Sequence, residues 1–427
     1  MPTSNTSGLS KNDWLCLSFL SGIGPSRLSR LYTYLSQLDA SSLDLDTDTL
    51  TLFDDPQPNK VEHSKIITYD LLIALKWPEV TARQAMDYFS DGILTEEQTT
   101  KRDEALAWLE DTDHHLVLRD DEYYPDELKE ITVPPAFLYV EGRPEVLALP
   151  KIGIVGARKC SRYGRDATFQ FAEQLSARGI CVVSGGAMGI DTAAHQGALH
   201  NQTTPTIAVM GTGLFHRYPN HNRQMFEDIL EQSGALISEY PLSTSPRPHL
   251  FPPRNRIISG LSMGVLVSEA SVKSGSLISA SYAIQQNREV FALPGRLSDP
   301  QSEGCHQLIR QGATLVRHVD DILAECTKSP SAPIKNAMAG KKRVSSSRSQ
   351  PTDSAPIFAS NSFHSLPDST SEDAKAITVI LEQEGQAMDF DALIRHSNME
   401  AGLMMQVLME LELYGCVENR EGLYCRC

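Results

Sequence analysis

No apolar run in this chain of 427 residues approaches the roughly eighteen needed to cross a bilayer, so a soluble protein is expected. The opening stretch, MPTSNTSGLSKND, has no basic patch followed by an apolar segment and no small-residue cleavage site. Nothing in it points to export, and a cytoplasmic location is the expectation. The eight cysteines, at 16, 160, 181, 305, 326, 416, 425 and 427, form no CxxC pair, which argues against a disulfide framework and against a zinc site. Reduced thiols are expected, and a frayed end explains the closeness of Cys425 and Cys427 better than a metal does.

Motifs of nucleotide and hydrolytic chemistry are missing as well. The fingerprint GxGxxG and the P-loop pattern GxxxxGK[ST] are absent, so neither NAD nor ATP is indicated and no cofactor is expected. A nucleophile elbow, a paired-carboxylate motif and HExxH are not found. Asp191, His195, Glu239, Glu269 and Ser276 could be assembled on paper into an acid/base or nucleophilic site. A histidine inside the small-residue helix DTAAHQGAL is more often packed and hydrogen-bonded than a base, so no catalytic residue is assigned.

What is present is an ordinary globular composition, 41% hydrophobic and 22% charged, in a chain too long for one core. Two or three domains are expected. The net charge of -16 taken as a whole opposes nucleic acid, but it is unevenly spread. Residues 1–100 hold 7 Lys and Arg against 14 Asp and Glu, whereas 150–325 hold 16 against 14. The middle is cationic relative to its flanks.

Residues 1–100 read as a small helical domain. Amphipathic stretches around DWLCLSFL and PSRLSRLYTYL are broken by Ser21-Gly22-Ile23-Gly24-Pro25, a helix-hairpin-helix pattern whose turn could hold a phosphate, although any tightly connected helix pair would use the same residues. From Lys151 the runs IGIV, ICVVS, TIAVM, ALISE, GVLVSEA and EVFAL alternate with helical segments at 165–178, 189–200, 221–233, 274–287 and 302–312. Runs apolar on both faces predict a doubly wound, mostly parallel sheet covered by helices, a Rossmann-like α/β domain over 115–325. Residues 328–370, rich in Ser, Pro, Ala and Thr, read as a disordered linker. Residues 371–427 read as three helices and a terminal β-ribbon turning at Glu421-Gly422, a winged helix. Its candidate recognition helix, Glu400 to Tyr414, has three acidic residues and no Lys or Arg, so duplex reading is not expected of it.

In a doubly wound sheet, ligands bind beyond the carboxyl ends of the strands. After the first strand, Gly156-Ala157-Arg158-Lys159-Cys160-Ser161-Arg162-Tyr163-Gly164 puts cations and hydroxyls into a loop opening a helix. After the second, Gly185, Gly186 and Gly189 let backbone N–H groups point at an anion, and Gly211-Thr212-Gly213 repeats the device. Farther on, Arg247, His249, Phe251, Arg254, Asn255 and Arg256 interleave cations with an aromatic, as suits a nucleic-acid strand. The competing reading pairs Arg254 and Arg256 with Glu239 and Glu269 in structural salt bridges.

The segments GARKCSRYG, SGGAMGIDTAAHQGAL, AVMGTGLFHRYP, FPPRNRIISGLSMGVLVSEA, SGSLISASYA, EVFALPG and GCHQLIRQGA, in this order, closely resemble the DNA-processing protein A (DprA/Smf) family over about residues 120–325. The resemblance also implies a sterile-alpha-motif-like N-terminal domain and a C-terminal winged helix. It implies a homodimer, built through the Rossmann domain, that binds single-stranded DNA during natural transformation, displaces or bypasses single-strand-binding protein and loads RecA recombinase. By matching motifs, DNA contacts are implied for Arg158, Ser161, Gly185, Gly186, Gly189, His249, Phe251, Arg254, Asn255 and Arg256, and the loop chemistry adds Gly156, Arg162 and Arg247 to the expected DNA-binding set. Two departures from the family pattern are Pro253, where a basic or small residue is usual, and the acidic winged helix. The alternative is a nucleotide sensor or nucleotide-hydrolysing enzyme of the lysine-decarboxylase-like type, whose PGGxGT loop this chain lacks.

Overall fold

The computed structural model describes residues 8–42 and 66–327, and within 371–426 all but 385–387, 398, 400–402, 406, 409–410, 412–415 and 421–422. The linker expected at 328–370 and the turn at Glu421-Gly422 therefore lie outside the described residues. The chain divides into two compact units, Met1–Lys328 and Ser329–Cys427.

The first unit opens with helices α1 (Lys11–Ser18), α2 (Pro25–Ser42), α3 (Tyr69–Ala74), α4 (Glu79–Asp91) and α5 (Glu96–Trp108). Their starts are legible in the sequence. Ser10 with Asp13 and Thr95 with Gln98 form capping boxes that satisfy the first free N–H groups of α1 and α5. The hairpin turn between α1 and α2 is tied inward: Ser21 N donates to Gln84 Oε1 at 3.2 Å and the Thr81 hydroxyl donates to Ser21 O at 2.5 Å. Trp14, Leu31, Tyr32 and Leu35 are fully buried and share one core with Leu116, Phe137, Tyr139 and Leu236. The helices thus pack against the edge of the sheet that follows.

That sheet contains β1 (His114–Leu118) and, after the short helix α6 (Asp126–Lys129), β2 (Phe137–Gly142). Then strands and helices alternate: β3 (Lys151–Val155), α7 (Arg162–Ala177), β4 (Cys181–Ser184), α8 (Ile190–His200), β5 (Thr206–Val209), α9 (Arg223–Glu231), β6 (Ala235–Ser238), α10 (Phe251–Leu261), β7 (Gly264–Val267), α11 (Ser276–Gln285), β8 (Glu289–Ala292), α12 (Glu303–Arg310), β9 (Thr314–Leu315) and α13 (Val319–Cys326). The strand order is β1-β2-β6-β5-β4-β3-β7-β8-β9. All six apolar runs are strands, and they pair in parallel from β6 through β8, as their two-sided hydrophobicity predicts. β1 and β2, which the sequence did not announce, add an antiparallel margin beyond β6.

Connectivity positions the site. From β3 the chain steps outward through β4 and β5 to β6, then returns along α10 to place β7 on the other side of β3. Connections leaving β3 and β7 diverge in opposite directions, which opens a crevice at their carboxyl ends.

The second unit contains α14 (Glu372–Glu384), β10 (Met388–Asp389), α15 (Phe390–Ser397), β11 (Val417–Arg420) and β12 (Leu423–Arg426). The ribbon β11–β12 expected from the sequence gains β10 as a third antiparallel strand. Ile377, Leu393, Met404, Leu408 and Leu411 fill its core. The stretch 400–414 falls partly outside the described residues, so its role as a recognition helix stays an expectation.

Candidate nucleic-acid interface

The crevice between β3 and β7 is a cavity of about 340 Å³, lined among others by Gly156, Arg158, Asp191, Phe251, Asn255 and Ser276. Arg158 is exposed, and its guanidinium carbon lies 5.7 Å from the centroid of the Phe251 ring. That ring and Asn255 are half-buried at the start of α10. A cation stacked on an aromatic face at the mouth of a switch-point crevice offers one group for a phosphate and one for a base.

Much of the polarity predicted for incoming anions is used by the fold itself. Ser161 caps α7, accepting from Gly164 N at 3.0 Å, and its hydroxyl donates to Glu269 Oε2 at 2.7 Å. Ser161 N also donates to Glu269 Oε1 at 2.9 Å, so a carboxylate from the end of β7 occupies the positive end of α7. The second loop behaves alike: Asp191 Oδ2 accepts from Gly185 N at 3.2 Å and from Ala187 N at 3.3 Å. The Gly185 N–H expected to face a phosphate is therefore taken by Asp191, together with that of Ala187. Gly189, the N-cap of α8, adopts φ 84°, and a side chain there would run into the carbonyls of Ala157 and Arg158, so this turn requires glycine.

Arg254 and Arg256 are structural in placement. Arg254 is 5% exposed and donates to the carbonyls of Gly185 and Val209, bridging the ends of β4 and β5. Arg256 is 8% exposed and grips Glu239 in a two-oxygen ion pair at 2.6 and 2.7 Å. The salt bridge expected as the competing reading is thus found for Arg256 with Glu239, while Glu269 goes to Ser161. Each arginine keeps one buried nitrogen without a hydrogen-bond partner, Arg254 Nε and Arg256 Nη1, and Arg254 also lines the crevice. The sequence could not separate these two arginines from the exposed Arg158, because burial depends on how α10 lies across the sheet.

The remaining cations spread out. Arg162 opens α7, is exposed, and reaches Asp166 at 3.5 Å. Arg247 and His249 are exposed and line a separate cleft of about 570 Å³ between the loop 241–250 and the N-terminal helices, which Ser21, Pro25 and Lys101 also border. Gly186 backs the second loop with φ +66°.

The sequence reading missed one wall of the crevice. At the start of α11, Ser274 and Ser276 place their hydroxyl oxygens 2.5 Å apart, and Ser279 lines the cavity with a hydroxyl that is buried without a hydrogen-bond partner. These hydroxyls and the helix start form a polar wall suited to an anion. The fourth small-residue turn in the series, Ser274-Gly275-Ser276 after β7, was the available signal.

Burial pushes Asp191 up to about 6, restrained by the nearby Arg254 guanidinium, and pushes Arg254 down to about 10. His195 is fully buried and burial drives it down to about 3. The Thr206 hydroxyl donates to Val182 O at 2.6 Å, so His195 Nδ1, 2.9 Å from that oxygen, must be the donor to it. His195 is a neutral core residue. The string Gly260-Leu261-Ser262-Met263-Gly264 does match the Gly-x-Ser-x-Gly pattern. It runs from helix α10 into strand β7, opposite in polarity to a nucleophile elbow, and the buried Ser262 hydroxyl donates to Ile258 O at 2.7 Å. Among the described residues no group of three His, Cys, Asp or Glu could hold a metal ion, and no helix is long and apolar enough to cross a membrane.

A family model described as DNA recombination-mediator protein A matches residues 115–327, and one described as the DprA winged helix domain matches residues 363–422. Protein Smf of Escherichia coli is 44% identical over 251 residues, covering 59% of this chain and 65% of that protein. DNA processing protein DprA of Streptococcus pneumoniae is 44% identical over 205 residues, covering 48% of this chain and 72% of that protein. The X-ray structure of DNA processing protein A from Streptococcus pneumoniae superimposes with a TM-score of 0.59 at 31% identity, covering 74% of this chain and 98% of that one.

Proposed function

Since the chain belongs to the DprA/Smf family of DNA-processing proteins, we propose that it binds single-stranded DNA in the crevice between β3 and β7, protects it and passes it to RecA recombinase during natural transformation and recombination. The observation that carries this reading is Arg158 stacked over Phe251 at the crevice mouth, 5.7 Å from the ring centroid. Arg158 and Arg162 attract phosphates, the Phe251 ring receives a base, and Asn255 hydrogen-bonds to the strand. Ser161 and the glycines at 156, 185, 186 and 189 shape the backbone that the strand approaches. Arg247 and His249 extend the path along the neighbouring cleft. Arg254 and Arg256 take part by holding the loops in position.

On this reading the protein carries out no chemistry on the DNA and acts in the cytoplasm as a homodimer built through the 115–325 domain, alongside single-strand-binding protein. The 1–100 helical domain and the 371–427 winged helix flank the DNA-binding domain, with 328–370 as the linker. The acidic content of 400–414 favours a protein contact for the winged helix over a duplex contact.

The crevice volume of about 340 Å³ and the hydroxyl wall at α11 also suit a single nucleotide, which favours the sensor as the second reading. Anisotropy titrations with labelled poly-dT, matched duplex and a mononucleotide, in low and moderate salt, separate the two. Tight, sequence-tolerant binding of the single strand over duplex supports the first. Saturable mononucleotide binding without strand preference supports the second.

A further inference from the structure

The β5–α9 connection, residues 210–222, is tied down on both sides and still presents two aromatic rings to solvent. Gly213 N donates to Thr244 O at 2.9 Å, Phe215 N to Leu242 O at 3.1 Å, and the Thr212 hydroxyl to His216 O at 2.7 Å. At its far end Asn222 Nδ2 donates to Gly186 O at 2.9 Å, and Arg217 is ion-paired with Glu141. In this fixed loop Phe215 remains 48% exposed and Tyr218 44% exposed. Exposed aromatics that are fixed in place and rimmed by polar groups mark an interaction site.

Both rings, with His216, Asn220, Arg223 and Pro246, line an open hollow of about 480 Å³. The Tyr218 ring lies 5.7 Å from that of Phe251, inclined at 43°, and Phe251 is the ring that carries Arg158. The Phe251–Tyr218 pair thus joins a ring of the crevice to a ring of the hollow. Arg223, 75% exposed with Glu227 at 3.2 Å, lines the hollow, and the exposed Arg247, which lines the neighbouring cleft, directly follows the hollow's Pro246 in the chain.

We infer that this hollow is a second base-stacking platform on which a single strand leaving the crevice continues, with Tyr218 and then Phe215 under successive bases and Arg223 and Arg247 beside the phosphates. The inference rests on the proposed function, since a strand must enter the crevice before a platform can extend its path. Alternating rings and cations along one track match a nucleic-acid strand, whose bases and phosphates alternate in the same way.

The test is binding of oligothymidylates, from about four to about sixteen nucleotides, to the full chain and to F215A, F215W and R158A. Past the length at which the strand reaches the hollow, the wild type gains affinity and F215A does not, the gap growing to about tenfold. The indole of F215W is quenched only by oligomers beyond that length. If F215A follows the wild type at every length while R158A weakens all of them, the platform is overturned and the crevice reading survives. If the wild type binds no oligomer, both fall. If F215A leaves DNA binding intact and instead lowers self-association in sedimentation, the patch serves a second copy of the chain and the platform is overturned.

Discussion

Arg254 lies where a side chain at Gly185 would have to go: a methyl group there would overlap the guanidinium, which donates to the Gly185 carbonyl at 2.8 Å. The glycine after β4 thus leaves the space taken by a cation that arrives 69 residues later in the sequence. Replacing it tests whether the second loop is built around Arg254. Gly185→Ala should lower stability by about 1–3 kcal/mol through overpacking, read from urea unfolding at unchanged m-value. An unchanged midpoint would show that Arg254 has room to withdraw.

Arg158 and Arg256 should separate cleanly. Arg158→Ala removes an exposed cation, so the slope of log affinity against log salt for poly-dT should shrink by about 0.7, with the melting temperature unchanged. Arg256→Ala strands Glu239 in the core and should cost about 3–5 kcal/mol of stability. A loss of salt slope in Arg256→Ala at intact stability would restore that residue to the DNA-contacting set.

Asp191 titrates at about 6 in the fold, so lowering the pH through 6 removes a negative charge from the crevice wall beside Arg254. Affinity for a single strand should therefore rise between pH 8 and pH 5 more in the wild type than in Asp191→Asn. The exposed His216, His221 and His249 are common to both proteins, so the difference between them isolates Asp191. Parallel pH profiles would remove Asp191 from the interface.

His195 is lowered to about 3, and a group depressed in this way stabilises the fold above its unfolded pKa of about 6.5 and loses that stabilisation as the pH falls towards 3. The melting temperature of the wild type should drop relative to His195→Asn as the pH goes from 7 to 5, at a limiting slope of about 1.4 kcal/mol per pH unit. Asp191, raised in the fold, acts with the opposite sign below about 6, and comparing the two proteins cancels it. A pH-independent difference would mean that His195 can take up a proton without leaving the core.

Local chemistry made much of this protein legible in its sequence. The six apolar runs could be buried only as a parallel sheet with helices on both faces, and their glycine-bearing exits mark the crevice in the sequence itself. The capping boxes at Ser10 and Thr95 are local signals of the same kind, which the pattern of apolar residues alone did not bring out. β1, β2 and β9 were not announced, because short strands on a sheet margin carry too little periodicity to stand out.

The tertiary structure decided which charges are available. Residue type and local pattern mark Arg158, Arg254 and Arg256 alike as cations for a phosphate, but Arg158 lies in the loop leaving β3 and stays exposed, whereas Arg254 and Arg256 lie within α10, whose path across the sheet buries them. Ser161 meets Glu269 from 108 residues away, and Arg256 meets Glu239 from 17. A sequence lists donors and acceptors without saying which of them meet, and desolvation then turns a paired arginine into part of the scaffold and leaves an exposed one free to bind.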